Sequence, residues 1–420
     1  MSGSSASLEA PLGVPFPALG ILERALAIAF LAGVCFSFVK VAPGIGSDTQ
    51  PTALLFGLML LACTRTVNFP WPIAFLLLTA LAGLPLLLLD GVSLVAVRNW
   101  SNYVSAFVVA AVSWKLVRAD RALVGRGIYA AVWTWFTVGA IQTFVSRQFL
   151  TFLLADARTS ESRGVVALAP EPAMYGQVCL LLMFAALMVL DGRRRTIAIT
   201  VAVVQLVLFS RSSMAVLILL LWAGGNVIRD LGARGGLRVA IPAALVAFAS
   251  LQLLVAGAIP GLQGSRLQTI ARLALQDPRL LVSADESGAV RAASIIYAVA
   301  GFFSSWTIPY GFEAWDAFTP TISYRFAFIP VVPGGYRPMS GYGSALFELG
   351  FISVLVLVAV TGAFRQWFGS AWLRHWPTIL TFHALLFTSV PLATPLVGLI
   401  LGVACAHLAG PKYSELGGKP

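Results

Sequence analysis

Residues 71–89 read WPIAFLLLTALAGLPLLLL, a run with no charged side chain and long enough as a helix to cross the roughly 30 Å of hydrocarbon in a bilayer. Comparable apolar runs recur on both sides of it, from Leu22 to Leu408, so lipid is the expected solvent for most of the chain. Composition agrees. Hydrophobic residues make up 59% of the chain and charged residues 11%, with mean hydropathy +0.88, proportions that would cover a soluble domain in apolar patches. The expectation is an all-α, polytopic integral membrane protein with about twelve transmembrane helices in a single membrane domain, 1–420. Their windows lie near 22–40, 51–64, 71–89, 102–118, 123–145, 173–190, 196–210, 213–229, 239–258, 343–363, 377–391 and 393–409.

The net charge of +11 raises the question of nucleic acid, but the basic residues fall in short clusters between apolar runs rather than along one polar face. No nucleic acid partner is expected, and the asymmetry reads instead as topology. Lys115, Arg118, Arg121 and Arg126 follow the fourth window, Arg193 to Arg195 the sixth, and Arg229, Arg234 and Arg238 the eighth. Placing these loops inside puts both termini inside, in agreement with Arg365, Arg374, Lys412 and Lys419. Two longer segments, 146–172 and 259–342, then face the opposite side. Their own arginines do not break the topology, because long loops escape the rule. Within the second, the stretch from Ala289 to Trp306 reads as a short helix on or dipping into the interface. A thirteenth span there is the competing reading, and it would put the C-terminus outside.

Cys35, Cys63, Cys179 and Cys405 fall within the windows without CxxC spacing, which favours core packing over a disulfide framework or zinc. The first 20 residues have no basic n-region, so the first apolar run reads as a retained helix. No internal repeat supports an inverted-repeat transporter.

The candidates for chemistry cluster around the two outer segments. Glu171-Pro172 opens the sixth window, where Pro suits the first helical turn and a carboxylate complements the helix dipole; a plain helix cap is the alternative to a chemical role. Arg163, just before it, offers a planar fork suited to phosphate and has no topological reason to be outside. In Ser210–Ser213, Ser212 or Ser213 would cap the next helix beside Arg211, which makes an anion site; snorkelling of Arg211 to lipid phosphate is the alternative. In the long loop Arg291 precedes the turn Pro309-Tyr310-Gly311, and Tyr310, Tyr324, Arg325, Tyr336, Arg337 and Tyr342 supply donors and aromatic faces of the kind that hold sugars; anchoring of the tyrosines at the membrane interface is the alternative. Glu313 and Asp316 lack the further ligands a metal needs and read as a solvated loop, so no metal site is expected. Glu348, two turns into the tenth window, is either a catalytic group or one half of an ion pair with a neighbouring arginine. His383, also inside a window, reads as hydrogen-bonded packing.

The order of these pieces resembles the bacterial O-antigen polymerase and O-antigen ligase superfamily: Arg163 with Glu171-Pro172, Ser210-Arg211, Arg291 with Pro309-Tyr310-Gly311, and Leu346-Phe347-Glu348-Leu349-Gly350. The resemblance covers roughly 160–362. It implies a cofactor-free, metal-independent, inverting glycosyltransferase of the bacterial inner membrane, with its active site at the periplasmic face. The donor and acceptor are undecaprenyl-diphosphate-linked glycans, the bilayer is a partner, and a chain-length-regulating co-polymerase is a further one. Arg163, Arg211 and Arg291 are then the diphosphate ligands, Glu171 and Glu348 the catalytic carboxylates with Tyr342 as positioner, and Tyr310, Tyr324, Arg325 and Arg337 the glycan contacts. Family ligases place a histidine just before the last motif, where this chain has Arg337-Pro338-Met339-Ser340-Gly341-Tyr342. That departure favours polymerase over ligase and leaves the general base open. An exopolysaccharide or capsule polymerase, and a non-enzymatic flippase for lipid-linked oligosaccharide, are the other readings.

Overall fold

The computed structural model describes residues 19–40, 49–63, 68–158, 164–233, 268, 272–273, 286–326, 329, 335 and 337–406. Among them every regular element is helical: α1 Ile21–Cys35, α2 Thr52–Cys63, α3 Trp71–Leu89, α4 Leu94–Phe144, α5 Pro172–Val189, α6 Gly192–Val204, α7 Ser213–Ala233, α8 Glu286–Ser304, α9 Ala314–Ser323, α10 Gly341–Leu349, α11 Val354–Phe368, α12 Trp376–Thr388 and α13 Pro395–Ala406. Among the described residues the single extended pairing is an isolated bridge between Val39 and Leu154. Four segments among the described residues are long and apolar enough to cross a membrane: 71–89, 172–189, 213–230 and the broken stretch 341–388. The window at 239–258, the first part of the long outer loop and both chain ends lie outside the described residues.

Two breaks divide the longest apolar stretches. In α4 the backbone leaves helical geometry at Asp120 (φ −151°, ψ 79°), whose carboxylate accepts from the Leu123 amide at 2.8 Å and so caps the second half. The cluster from Lys115 to Arg126 sits around this corner. The second break is Gly350, with φ +55°, between α10 and the 3₁₀ turn that leads into α11. A side chain there would run into the Thr307 carbonyl, so the position requires glycine for both its φ and its space.

The core is built on α5 and α13. Every residue of α13 is buried, and Gly398 and Gly402 present a flat face to α4: a Cβ at 398 would lie 2.8 Å from Val109 Cβ, and one at 402 would strike the Ala110 carbonyl. Small residues four apart let two helices approach closely where lipid offers no hydrophobic drive between them. Gly402→Val is therefore expected to cost about 1–3 kcal/mol through overpacking, read as a lower unfolding temperature in detergent. By contrast α3 turns Leu78, Leu81, Leu84 and Leu88 outward, and α7 turns out Leu217, Leu220 and Ile228. Such leucine faces suit lipid contact.

Two local expectations need correction. Asp316 is not in a loop but in the first turn of α9, where buried Trp315, Thr319 and Ile322 give the stretch an inward helical face, while Glu313 is exposed in the bend before it. Cys63 is exposed on α2, whereas the other three cysteines are buried. The helix spanning Ala289 to Ser304 packs on α10, with Gly301 against the Phe347 ring and Ala298 against Gly343.

Candidate functional site

Ser340 starts α10 by accepting from the Gly343 amide at 2.7 Å. This cap folds the preceding residues back over the first turn, which brings Arg337 beside Glu348, two turns further on. The Arg337 guanidinium donates to Glu348 Oε2 at 3.1 Å and to Ser344 Oγ at 3.3 Å, and lies 5.9 Å from the centre of the Tyr103 ring. Tyr103, from the first half of α4, donates its hydroxyl to the same Oε2 at 2.6 Å. Glu348 is buried, and its other oxygen, Oε1, has no hydrogen-bond partner. Arg337, expected among the glycan contacts, is thus committed to this carboxylate.

The turn Pro309-Tyr310-Gly311 docks on the far end of α10 through its backbone. The amides of Tyr310 and Gly311 donate to the carbonyls of Phe347 and Glu348, each at 3.2 Å. Asp90, at the end of α3, accepts from the Phe312 amide at 2.6 Å, and the Asn99 side chain donates to the Phe312 carbonyl at 2.7 Å. Gly311 has φ +85°, and a Cβ on it would lie 2.6 Å from Asp90 Oδ1, so this turn also depends on glycine. Tyr310 is not a free sugar platform. Its ring stacks on Phe347 at 4.6 Å and its hydroxyl meets Ser304 at 3.2 Å.

A second ion pair joins α5 to α8. Glu171 precedes α5 in extended geometry but makes no side-chain cap; its carboxylate accepts from Arg291 at 3.1 Å, with only 10% of the Arg291 side chain and 19% of Glu171 exposed. Beside the start of α5, the turn after α6 is held by Ser210, which bonds the Leu206 carbonyl, and by Ser212, which caps α7 by accepting from Ala215 at 3.3 Å. The Val165 amide donates to Phe209 at 2.9 Å, and a Cβ on Gly176 would lie 2.7 Å from Ser212. The 164–167 segment is fastened by Gln142, whose amide group both accepts from and donates to Ala167 at 2.7 and 2.9 Å. Arg211 is exposed with φ +47°, its Nε donating to Leu208 at 3.3 Å. Arg163 lies outside the described residues.

Tyr342 is engaged elsewhere. Its hydroxyl is 2.6 Å from His383 Nδ1 on α12, and His383 Nε2 is 3.3 Å from Thr361 on α11. Tyr324 and Arg325 form an exposed pair at 3.0 Å after α9. The structure thus joins Glu171 to Arg291 and Glu348 to Arg337, and leaves Arg211, Tyr324 and Arg325 at the surface. Tyr103, Asp90, Asn99 and Gln142 are not among the expected site residues; only Gln142, an amide inside the apolar window 123–145, carries a signal in the sequence. Among the described residues no group of three histidine, cysteine, aspartate or glutamate side chains could hold a metal ion.

These features define an all-helical protein with membrane-length segments and buried ion pairs where its connecting segments meet them. No family model matches the chain, and no curated protein matches it in sequence.

Proposed function

We propose that the chain is a membrane-embedded glycosyltransferase, an O-antigen polymerase that joins undecaprenyl-diphosphate-linked repeat units at the periplasmic face of the bacterial inner membrane. The reading includes about twelve spans, cytoplasmic termini, and periplasmic segments at 146–172 and 259–342. The observation that carries it is that residues of the separate motifs that resemble one family are bonded in pairs: Glu171 with Arg291, 120 positions apart, and, at shorter range, the Tyr310-Gly311 amides with the backbone of Phe347-Glu348. Chance matches to short motifs have no reason to be neighbours in space.

In this reading an acceptor hydroxyl attacks the anomeric carbon of the donor glycan. The new glycosidic bond forms as the bond from that carbon to the diphosphate oxygen breaks, and undecaprenyl diphosphate leaves with the electron pair. Arg211 and Arg291, with Arg163, supply positive charge where negative charge develops. A carboxylate takes the hydroxyl proton, a contribution of roughly 10²–10⁴ in rate. Glu171 is the more exposed of the two candidates, while Glu348 offers one unpartnered oxygen. One displacement inverts the anomeric configuration.

The test mixes purified protein, a defined lipid-linked repeat and EDTA, without ATP or a membrane gradient. A ladder of longer glycans with inverted linkages is expected. No elongation, or retention of the donor's configuration, would sink this reading.

A further inference from the structure

At the opposite end of α11 from Glu348, roughly 17 Å of helix beyond Val354, lies a cavity of about 500 Å³ lined by Trp71, Arg365, Gln366, Gly369, Ser370 and Trp372. It is a built feature. The six-membered ring of Trp71 lies against Gly362, where any Cβ would collide with it, and packs edge-on against Phe75 at 5.5 Å. Gly369, with φ +54°, ends α11 and turns the chain into the 3₁₀ segment that carries Ser370 and Trp372 to the rim. Arg365 is exposed and has no carboxylate partner among the described residues. Gln366 holds a buried Oε1 with no hydrogen-bond partner.

We propose that this cavity binds a phosphate-bearing group, the head of an anionic membrane phospholipid. A guanidinium without a partner matches phosphate oxygens in charge and fork geometry. Tryptophans at the mouth of a site between two apolar helices belong at the level of lipid headgroups, and the exposed Leu373 and Trp376 continue that belt. A soluble phosphate would use Arg365 but gain nothing from the aromatic walls. The inference does not depend on the glycosyltransferase reading, because the cavity shares no residue with the ion pairs above.

The experiment uses the full chain in neutral detergent and follows unfolding temperature and bound lipid by native mass spectrometry. The probes are phosphatidylglycerol, phosphatidylcholine and inorganic phosphate. Phosphatidylglycerol is expected to raise the unfolding temperature and remain bound, with about tenfold weaker retention in Arg365→Gln and unchanged retention in Arg374→Gln. Ser370→Ala, which alters only the rim, is expected to weaken retention by a smaller factor. Displacement of the lipid by millimolar inorganic phosphate supports the phosphate site and assigns its source to a free anion. Equal retention of phosphatidylcholine, or equal phosphatidylglycerol retention by wild type and Arg365→Gln, overturns the proposal.

Discussion

Glu348→Ala is expected to lower stability by about 3–5 kcal/mol, the cost of leaving one member of a buried ion pair without its partner, and to abolish polymer formation. The variant strands Arg337 against Tyr103 and removes the acceptor that Tyr103 donates to. It also loosens the helix turn whose Phe347 and Glu348 carbonyls hold the Pro309–Gly311 turn. Loss of activity alone would therefore not separate a chemical role from a structural one. The double variant Glu348→Leu with Arg337→Met separates them: removing both charges and filling the space is expected to restore most of the unfolding temperature, because a buried pair replaced by apolar side chains is commonly neutral or stabilising. Activity in that double variant is expected to stay at least about 10²-fold below wild type. Wild-type activity there would show that Glu348 serves packing alone.

This pair also shows how far sequence reading reaches. A carboxylate inside an apolar window stands out in one dimension, and one of its two readings was an ion pair with a nearby arginine; Arg337, eleven residues earlier, is that arginine. His383 reads in the sequence as hydrogen-bonded packing, and in the structure it bonds Tyr342 and Thr361. The window at 71–89 returns as α3 with the same bounds, since an uninterrupted apolar run leaves no choice of period or end. Asp90 and Asn99 were invisible for a physical reason. Their partner is the backbone of Phe312, more than two hundred residues away, and a backbone amide or carbonyl looks the same at every position in a sequence. Tyr103 resembled an ordinary aromatic residue in a span until α10 supplied Glu348. The break in α4 was half legible: the basic cluster marked a turn, but the cap by Asp120 depends on a local geometry that charge counting does not contain.

Reversing the second pair, Glu171→Arg with Arg291→Glu, is expected to preserve the fold while reducing polymerisation by about 10²-fold or more, the scale of losing a donor aimed at developing negative charge. Both side chains are mostly buried and 3.1 Å apart, so either single change leaves a like-charge contact and is expected to cost about 3–5 kcal/mol. The reversal keeps one positive and one negative group at the same contact and recovers much of that loss. Activity behaves differently, because in the proposed reaction the two positions are not equivalent: Arg291 on α8 belongs to the long outer segment, and Glu171 stands at the entrance to α5, beside the turn that carries Arg211. Swapping them moves positive charge to the helix entrance and negative charge to the loop, against the sense in which a departing diphosphate needs them. Arg291→Lys refines the test, since lysine keeps the charge but loses the planar fork, and it is expected to retain the unfolding temperature better than it retains activity. The measurements are unfolding temperature in detergent and ladder formation from a lipid-linked repeat. If the reversed pair and Arg291→Lys both polymerise at the wild-type rate, the pair is a structural clasp between α5 and α8, and the diphosphate must be met by other arginines.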